Sequence, residues 1–178
     1  MKGRRRFIGS VLTLVAFARS AWAQATNAAP IRYAALSHPV RIPLEAVALP
    51  WHPVPFVAEA RLRAEHFGPA SPEGRRVLIS GILFRTETAL SALCVTCPHE
   101  QCQVDLVTDD GRLSRMMDRP SSHPLFECGC HFSVFDAANE GARLSGETPR
   151  GLYRFRITGT ARGIVEIGEI EAVALAEV

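Results

Sequence analysis

The sequence predicts an all-β fold of short antiparallel sheets. The run Val77–Phe84 is almost entirely apolar, and the segment Leu152–Ile157 alternates between apolar and other residues. Such runs of four to eight residues indicate strands, and period-two alternation indicates a strand with one buried face. Turn-forming residues separate the runs: Asp109, Asp110, Gly111, Gly141, Gly146 and Pro149.

The remaining elements follow from the same pattern. Shorter apolar runs predict strands at 90–95 and 125–126, and two further short strands within 163–175. The one helical candidate is residues 57–66, with weak periodicity. No internal repeat interrupts this order, so one β domain accounts for the folded part.

Size and charge exclude several classes of protein. The chain has 178 residues, with 20 basic and 18 acidic side chains. This length rules out a large multidomain enzyme, and the balanced charge gives no electrostatic reason to expect a nucleic-acid partner. Five cysteines are an odd number, so at least one is a ligand, a nucleophile or a buried thiol rather than half of a disulfide.

The first residues are typical of a targeting segment. Arg4, Arg5 and Arg6 precede a 12-residue apolar run, and Ala21-Trp22-Ala23 fits a small-x-small cleavage site. With Phe7, the arginine pair resembles a bacterial twin-arginine signal, which exports folded proteins. We therefore expect residues 1–23 to be an export signal and the protein to be periplasmic, or membrane-associated if the signal is retained.

Removal of the signal changes the charge and sets the domain boundaries. Residues 1–23 contain five basic residues and no acidic ones, so the mature chain has 15 basic and 18 acidic side chains. Residues 24–38 contain Pro and Ala and predict a linker, and 39–178 predict the folded domain. An oxidising compartment also permits a disulfide.

Two short segments contain most of the chemistry-bearing residues. They are Cys97-Pro98-His99-Glu100-Gln101-Cys102 and Cys128-Gly129-Cys130-His131-Phe132-Ser133. Each offers thiolate and imidazole donors at very short spacing, in loops rather than helices. Two thiolates and two neutral imidazoles suit a [2Fe–2S] cluster with cysteines on one iron and histidines on the other.

These segments resemble the two cluster-binding boxes of Rieske iron–sulfur proteins, in the subtype with an additional cysteine in each box. The resemblance implies a Rieske-type fold with a cluster-binding part at about 90–150, and one [2Fe–2S] cluster per chain. It implies that Cys97 and Cys128 bind one iron and that His99 and His131 bind the other. It further implies a disulfide between Cys102 and Cys130.

The resemblance also assigns residues that tune the cluster. Ser133 matches a serine whose hydroxyl donates to a cluster sulfide, whereas Phe135 stands where high-potential members have a tyrosine that donates to a ligand cysteine. We therefore expect a midpoint inside the Rieske window of about −150 to +300 mV but below its top. Glu100 replaces an apolar residue of the quinol-oxidising members, and a buried carboxylate there would be costly.

The implied function is one-electron transfer by an exported subunit of a quinol-oxidising or other periplasmic oxidoreductase, rather than by a complete enzyme. Expected partners are a cytochrome or a catalytic oxidoreductase subunit, and a quinol is a further candidate. We expect the protein to associate with the membrane only through a partner or a retained signal. A stand-alone periplasmic carrier is the alternative within this class. A structural zinc module using Cys94, Cys97, Cys128 and His131 is the alternative outside it. A Rieske oxygenase needs a further mononuclear-iron domain, for which 178 residues leave no space.

Overall fold

The strands form antiparallel sheets, which confirms the predicted all-β fold. This computed structural model describes residues 30–61, 76–117 and 121–177. The expected export signal at 1–23 lies outside these ranges. The described residues from Ile31 onward form one compact unit. Within the described residues, no helix has the length and apolar character needed to cross a membrane.

The first sheet has the order β1-β10-β9. Its strands are β1 (Tyr33–Pro43), β9 (Phe155–Ala161) and β10 (Ile164–Glu171). Strand β1 is an edge strand, which tolerates proline, and its register shifts between Ala35 and Val40. Because residues 33–35 already pair with β10, the sheet starts earlier than the expected boundary at residue 39.

The end of the chain also differs from the expected pattern. The predicted strand at 152–157 is displaced, because β9 begins at Phe155. A tight turn at Arg162 and Gly163, both with positive φ, then leads into β10 as a single strand. The last apolar residues form the short helix α2 (Ala174–Glu177) rather than a second short strand. Its buried Ala174 and Leu175 complete the core below the first sheet.

The second sheet has the order β2-β3-β4. Its strands are β2 (Val54–Arg61), β3 (Arg76–Arg85) and β4 (Leu90–Cys94), and a 3-10 turn (Leu44–Val47) links β1 to β2. The expected helix at 57–66 is wrong for residues 57–61, which belong to β2, and its remainder, including His66, lies outside the described residues. Ala58 and Ala60 are buried on one face of β2 while their neighbours are more exposed, so the period is two.

The third sheet carries the residues of the candidate site. Its order is β5-β6-β7-β8, formed by β5 (Val104–Val107), β6 (Leu125–Cys128), β7 (Val134–Asp136) and β8 (Ala142–Ser145). The expected turn at 109–111 instead begins helix α1 (Asp110–Met117). The Asp109 carboxylate accepts a hydrogen bond from the Arg112 amide at 2.7 Å, which caps the helix, and Leu113 packs onto the sheet.

Two hydrophobic cores meet at strand β3. Ile79 and Leu83 belong to the core shared by the first and second sheets. Ile82 and Phe84 project to the opposite face and join a second core with the third sheet. Because β3 is buried on both faces near its end, it reads as a continuous apolar run rather than an alternating one. The second core contains Cys97 and Cys128.

Candidate metal centre

The two Cys/His segments form loops with the same backbone pattern. In the first loop, the Cys97 amide donates to the Cys102 carbonyl at 2.8 Å, and the Gln101 amide donates to the Cys97 carbonyl at 3.0 Å. In the second loop, the Cys128 amide donates to the Ser133 carbonyl at 2.9 Å, and the Phe132 amide donates to the Cys128 carbonyl at 2.9 Å. The two loops are therefore local copies of one turn.

Each loop contains a residue in the left-handed region at the same place. Gln101 has φ 60° and Phe132 has φ 54°. Left-handed φ favours glycine because it has no Cβ. The hydrogen bonds of each turn thus hold a strained backbone that the sequence alone would not have indicated.

The strands fix the base of each loop. Strand β4 ends at Cys94, and Thr96 and Gln103 then form an isolated bridge that closes the first loop. The second loop starts at Cys128, the last residue of β6, and returns along β7, where Val134 pairs with Glu127. Both loops consequently leave the same end of the second core.

The cysteines predicted to bind iron, Cys97 and Cys128, are free thiols buried in this core. Only 1% of Cys97 and 2% of Cys128 is exposed. Burial raises the pKa of the Cys97 thiol, hydrogen bonds from the backbone amides of His99 and Glu100 oppose this shift, and the hydrogen bond with the Cys128 thiol adds to it. The two sulfur atoms are therefore adjacent, in a setting that already directs backbone donors at one of them.

The predicted histidine ligands are also neighbours. The ring centroids of His99 and His131 lie 4.9 Å apart with an edge-on angle of 73°. The Nδ1 atom of His99 is buried and has no hydrogen-bond partner within the described part of the chain. A buried imidazole nitrogen without a partner is costly unless something fills that position. The His131 side chain is 39% exposed, so one imidazole edge faces outward.

One carboxylate joins the histidine pair. Glu100 Oε2 lies 3.8 Å from His131 Nδ1, and ligand atoms of His99, Glu100 and His131 lie within 4.8 Å of one another. The Glu100 side chain is 60% exposed, so the cost expected for burying a carboxylate here does not arise. Sequence reasoning gave no sign that this group would face His131.

Cys102 and Cys130 form a disulfide that ties the two loops together. This confirms the pairing implied by the resemblance, with a sequence separation of 28 residues. Their sulfur atoms lie near that of Cys128, within 4.8 Å of one another. Disulfide sulfurs are not thiolates, so the two buried free thiols remain the sulfur donors available at this place.

Cys94 does not join this group. It is fully buried in the core between the first two sheets, whereas Cys97 and Cys128 pack in the second core. Burial raises the pKa of the Cys94 thiol, and hydrogen bonds with Thr96 partly oppose the shift. Cys94 is thus a buried free thiol, and its position gives no support to the four-ligand zinc site that included it.

Ser133 and Phe135, the residues expected to tune a cluster, are fully buried beside the thiols. The Ser133 hydroxyl has no hydrogen-bond partner within the described residues, which leaves its proton free to donate to a group bound here. Phe135 packs in the second core with Cys97 and Cys128. It supplies apolar cover and no donor.

A third loop, residues 146–151, closes over Ser133. A Cβ atom on Gly146 would lie 2.4 Å from Ser133 Cα and 2.5 Å from its Oγ, so a side chain at Gly146 would displace the second loop. The Arg143 guanidinium donates to the carbonyls of Gly146 at 3.3 Å and Thr148 at 3.1 Å. The third loop is therefore seated directly on the candidate site.

A buried carboxylate holds the other end of the third loop. Glu171 is 1% exposed and pairs with Arg150 of this loop and with Arg154, whose Nε lies 2.8 Å from Glu171 Oε1. Arg154 also pairs with Glu140. The paired residues are 14 to 21 positions apart in sequence, so no local pattern could have predicted the network.

The other histidines in the described residues lie apart from this donor set. His123 donates a hydrogen bond from Nε2 to Asp136 Oδ1 at 2.7 Å and stacks on Trp51. His38 lies within β1 and His52 follows Trp51. The candidate centre is therefore confined to the two loops and the third loop that covers them. No protein-family model and no curated protein matches this chain, so the chemistry at this centre must be argued from its own residues.

Proposed function

We propose that this chain is a Rieske-type iron–sulfur protein that transfers single electrons. Cys97 and Cys128 would hold one iron of a [2Fe–2S] cluster, and His99 and His131 the other. The observation that carries the proposal is the pairing of two buried free thiols with two neighbouring imidazoles, one of which has a buried Nδ1 atom without a partner.

The donor set fits such a cluster better than it fits a structural zinc ion. A closed tetrahedral zinc site needs four donors around one point, and the candidate zinc set depended on Cys94. That thiol packs in the other core. With Cys94 removed from the set, two sulfur and two nitrogen donors remain on two disulfide-linked loops. A zinc ion would need all four around one point, whereas the cysteine sulfurs and the imidazole nitrogens gather in two separate groups, which suits one iron for each pair.

The surrounding residues have defined roles in this proposal. When bound, a [2Fe–2S] cluster supplies a reversible one-electron couple. The amides of His99 and Glu100 would stabilise the negative charge on the Cys97 sulfur once its proton is lost. Phe135 and the third loop exclude water from the inner side. The exposed edge of His131 provides the short route to the surface.

The same residues set the direction of the potential. The buried Ser133 hydroxyl can donate to the bound group, and such a bond favours the reduced, more negative state. Phe135 cannot donate. One available donor instead of two supports a midpoint inside the window of about −150 to +300 mV and below its upper limit.

The cellular setting forms part of the proposal. A periplasmic protein exported through residues 1–23 would serve as the electron-transfer subunit of a quinol-oxidising or other respiratory oxidoreductase, or as a stand-alone carrier. Its partners would be a cytochrome, a catalytic oxidoreductase subunit or a quinol. The disulfide between Cys102 and Cys130 supports an oxidising compartment.

Metal and sulfide analysis of the purified full chain tests the proposal. We expect two irons and two acid-labile sulfides per chain, and loss of both in His131→Ala. The matched control is His123→Ala, because His123 is a half-buried histidine that bonds to Asp136 instead. It should keep the full content. One zinc per chain without sulfide, or full iron in His131→Ala, would contradict the proposal.

A further inference from the structure

Phe132 combines two features that cost stability. It is 70% exposed, although it is a large apolar side chain, and its φ of 54° is in the left-handed region. Its amide is fixed by the hydrogen bond to the Cys128 carbonyl, so the backbone is held in this conformation. Neither feature helps the fold, and strained residues kept in place beside a site point to a role there.

The position of Phe132 places this side chain at the outward edge of the candidate centre. It directly follows His131, whose imidazole is 39% exposed. The Glu100 carboxylate lies 3.8 Å from Nδ1 of that imidazole and is 60% exposed. An aromatic ring and a negative charge thus accompany the exposed imidazole of His131.

We propose that Phe132 is the anchor of a docking surface for a redox protein with an apolar socket beside its cofactor and basic side chains around that socket. This inference rests on the proposed function. Docking would bring the His131 edge to the partner's cofactor, and one electron would pass from the reduced protein to the oxidised partner. No bond forms or breaks and no proton moves in this step.

The negative charge of this surface favours a basic protein as the partner. Glu100 would repel an anionic surface and attract lysine or arginine, and the expected mature chain has 15 basic and 18 acidic side chains. The cations at the third loop are already engaged: Arg143 of β8 by the carbonyls of Gly146 and Thr148, and Arg150 by Glu171. Phenylalanine is among the residues enriched at protein interfaces, whereas membrane-surface segments combine apolar side chains with lysine and arginine rather than with a carboxylate.

The test measures electron transfer to two probes by stopped flow. The first is a lysine-rich c-type cytochrome in its ferric form, and the second is ferricyanide, a small acceptor that needs no socket. We expect Phe132→Gly to lower the second-order rate with the cytochrome about 10-fold or more, the loss typical of an aromatic hot spot. The rate with ferricyanide should change less than about twofold, because the centre itself is intact.

Gln101→Gly is the matched control, because Gln101 occupies the corresponding left-handed position of the other loop. Glycine at either position removes the strain of a positive φ, and this stabilisation is offset in part by the greater entropy of glycine in the unfolded chain. Each glycine variant should therefore raise the Tm by about 2 °C. Gln101→Gly should leave both rates unchanged. Glu100→Gln should weaken the salt dependence of the cytochrome rate.

Several results would overturn the inference. Phe132→Gly could keep the cytochrome rate within twofold, or it could lower the Tm, which would make Phe132 a structural residue. Binding of wild type but not Phe132→Gly to phosphatidylcholine vesicles would identify a membrane contact instead. Failure of the proposed function gives a different result: the wild type would then contain no iron and reduce neither probe.

Discussion

Removal of the disulfide between Cys102 and Cys130 should cost a large part of the stability of this protein. The bond closes a loop with a sequence separation of 28 residues. In the chain-entropy model, opening a loop of this length lowers the free energy of unfolding by about 3.6 kcal/mol. For a chain of this size, that loss corresponds to a Tm lower by about 7–14 °C.

The double variant Cys102→Ala/Cys130→Ala, unfolded in urea, measures this loss. Wild type treated with a thiol reductant should match it, because both lack the same bond. Cys94→Ala is the control for loss of a thiol alone and should cost about 1 kcal/mol, since it leaves only a small cavity. A double variant within 1 kcal/mol of wild type would refute the reasoning that the bond constrains the unfolded chain.

Three other predictions follow from the contacts of the site. Phe135→Tyr, measured by redox titration, should raise the midpoint by about 40 mV if its hydroxyl makes one new hydrogen bond of about 1 kcal/mol; no rise would contradict this role. Glu171→Gln should lower the free energy of unfolding by about 2 kcal/mol. This is less than for a fully buried ion pair, because Arg150 and Arg154 are each 31% exposed. Glu140 is exposed, so Glu140→Gln should lower the free energy of unfolding by under about 1 kcal/mol. Burial raises the pKa of Cys94, so its thiol should resist iodoacetamide at mildly alkaline pH in the folded protein and react after unfolding. Mass spectrometry would locate the label, and modification of Cys94 in the folded protein would refute its burial.

The positions of several strands could be predicted because runs of apolar residues indicate burial. The run 77–84 lies within β3, and the run 90–95 nearly coincides with β4. The helix α1 was missed because Asp109, Asp110 and Gly111 also favour a turn, and only the capping bond from the Arg112 amide to Asp109 makes them a helix start. Residues 57–61 form a strand despite their weak helical periodicity, because they pair with β3.

The cysteines and histidines of the site could be singled out because their spacing is short and local. The structure brings Cys97 to Cys128 and His99 to His131, and it forms the disulfide implied by the resemblance. The resemblance implies that the segment 146–151 covers the cluster loops, but the direct contact of Gly146 with Ser133 could not be predicted, because it depends on how this loop folds back. The same is true of Glu171, whose arginine partners come from distant parts of the chain.

Low-temperature EPR of the dithionite-reduced full chain tests the central claim most directly. A [2Fe–2S] cluster with histidines on one iron gives a one-electron reduced, paramagnetic state, so we expect an anisotropic signal that integrates to about one spin per chain. The signal should be lost in His99→Ala and in His131→Ala and kept in His123→Ala. A colourless protein with no signal after reduction, and with zinc bound instead of iron, would contradict the claim.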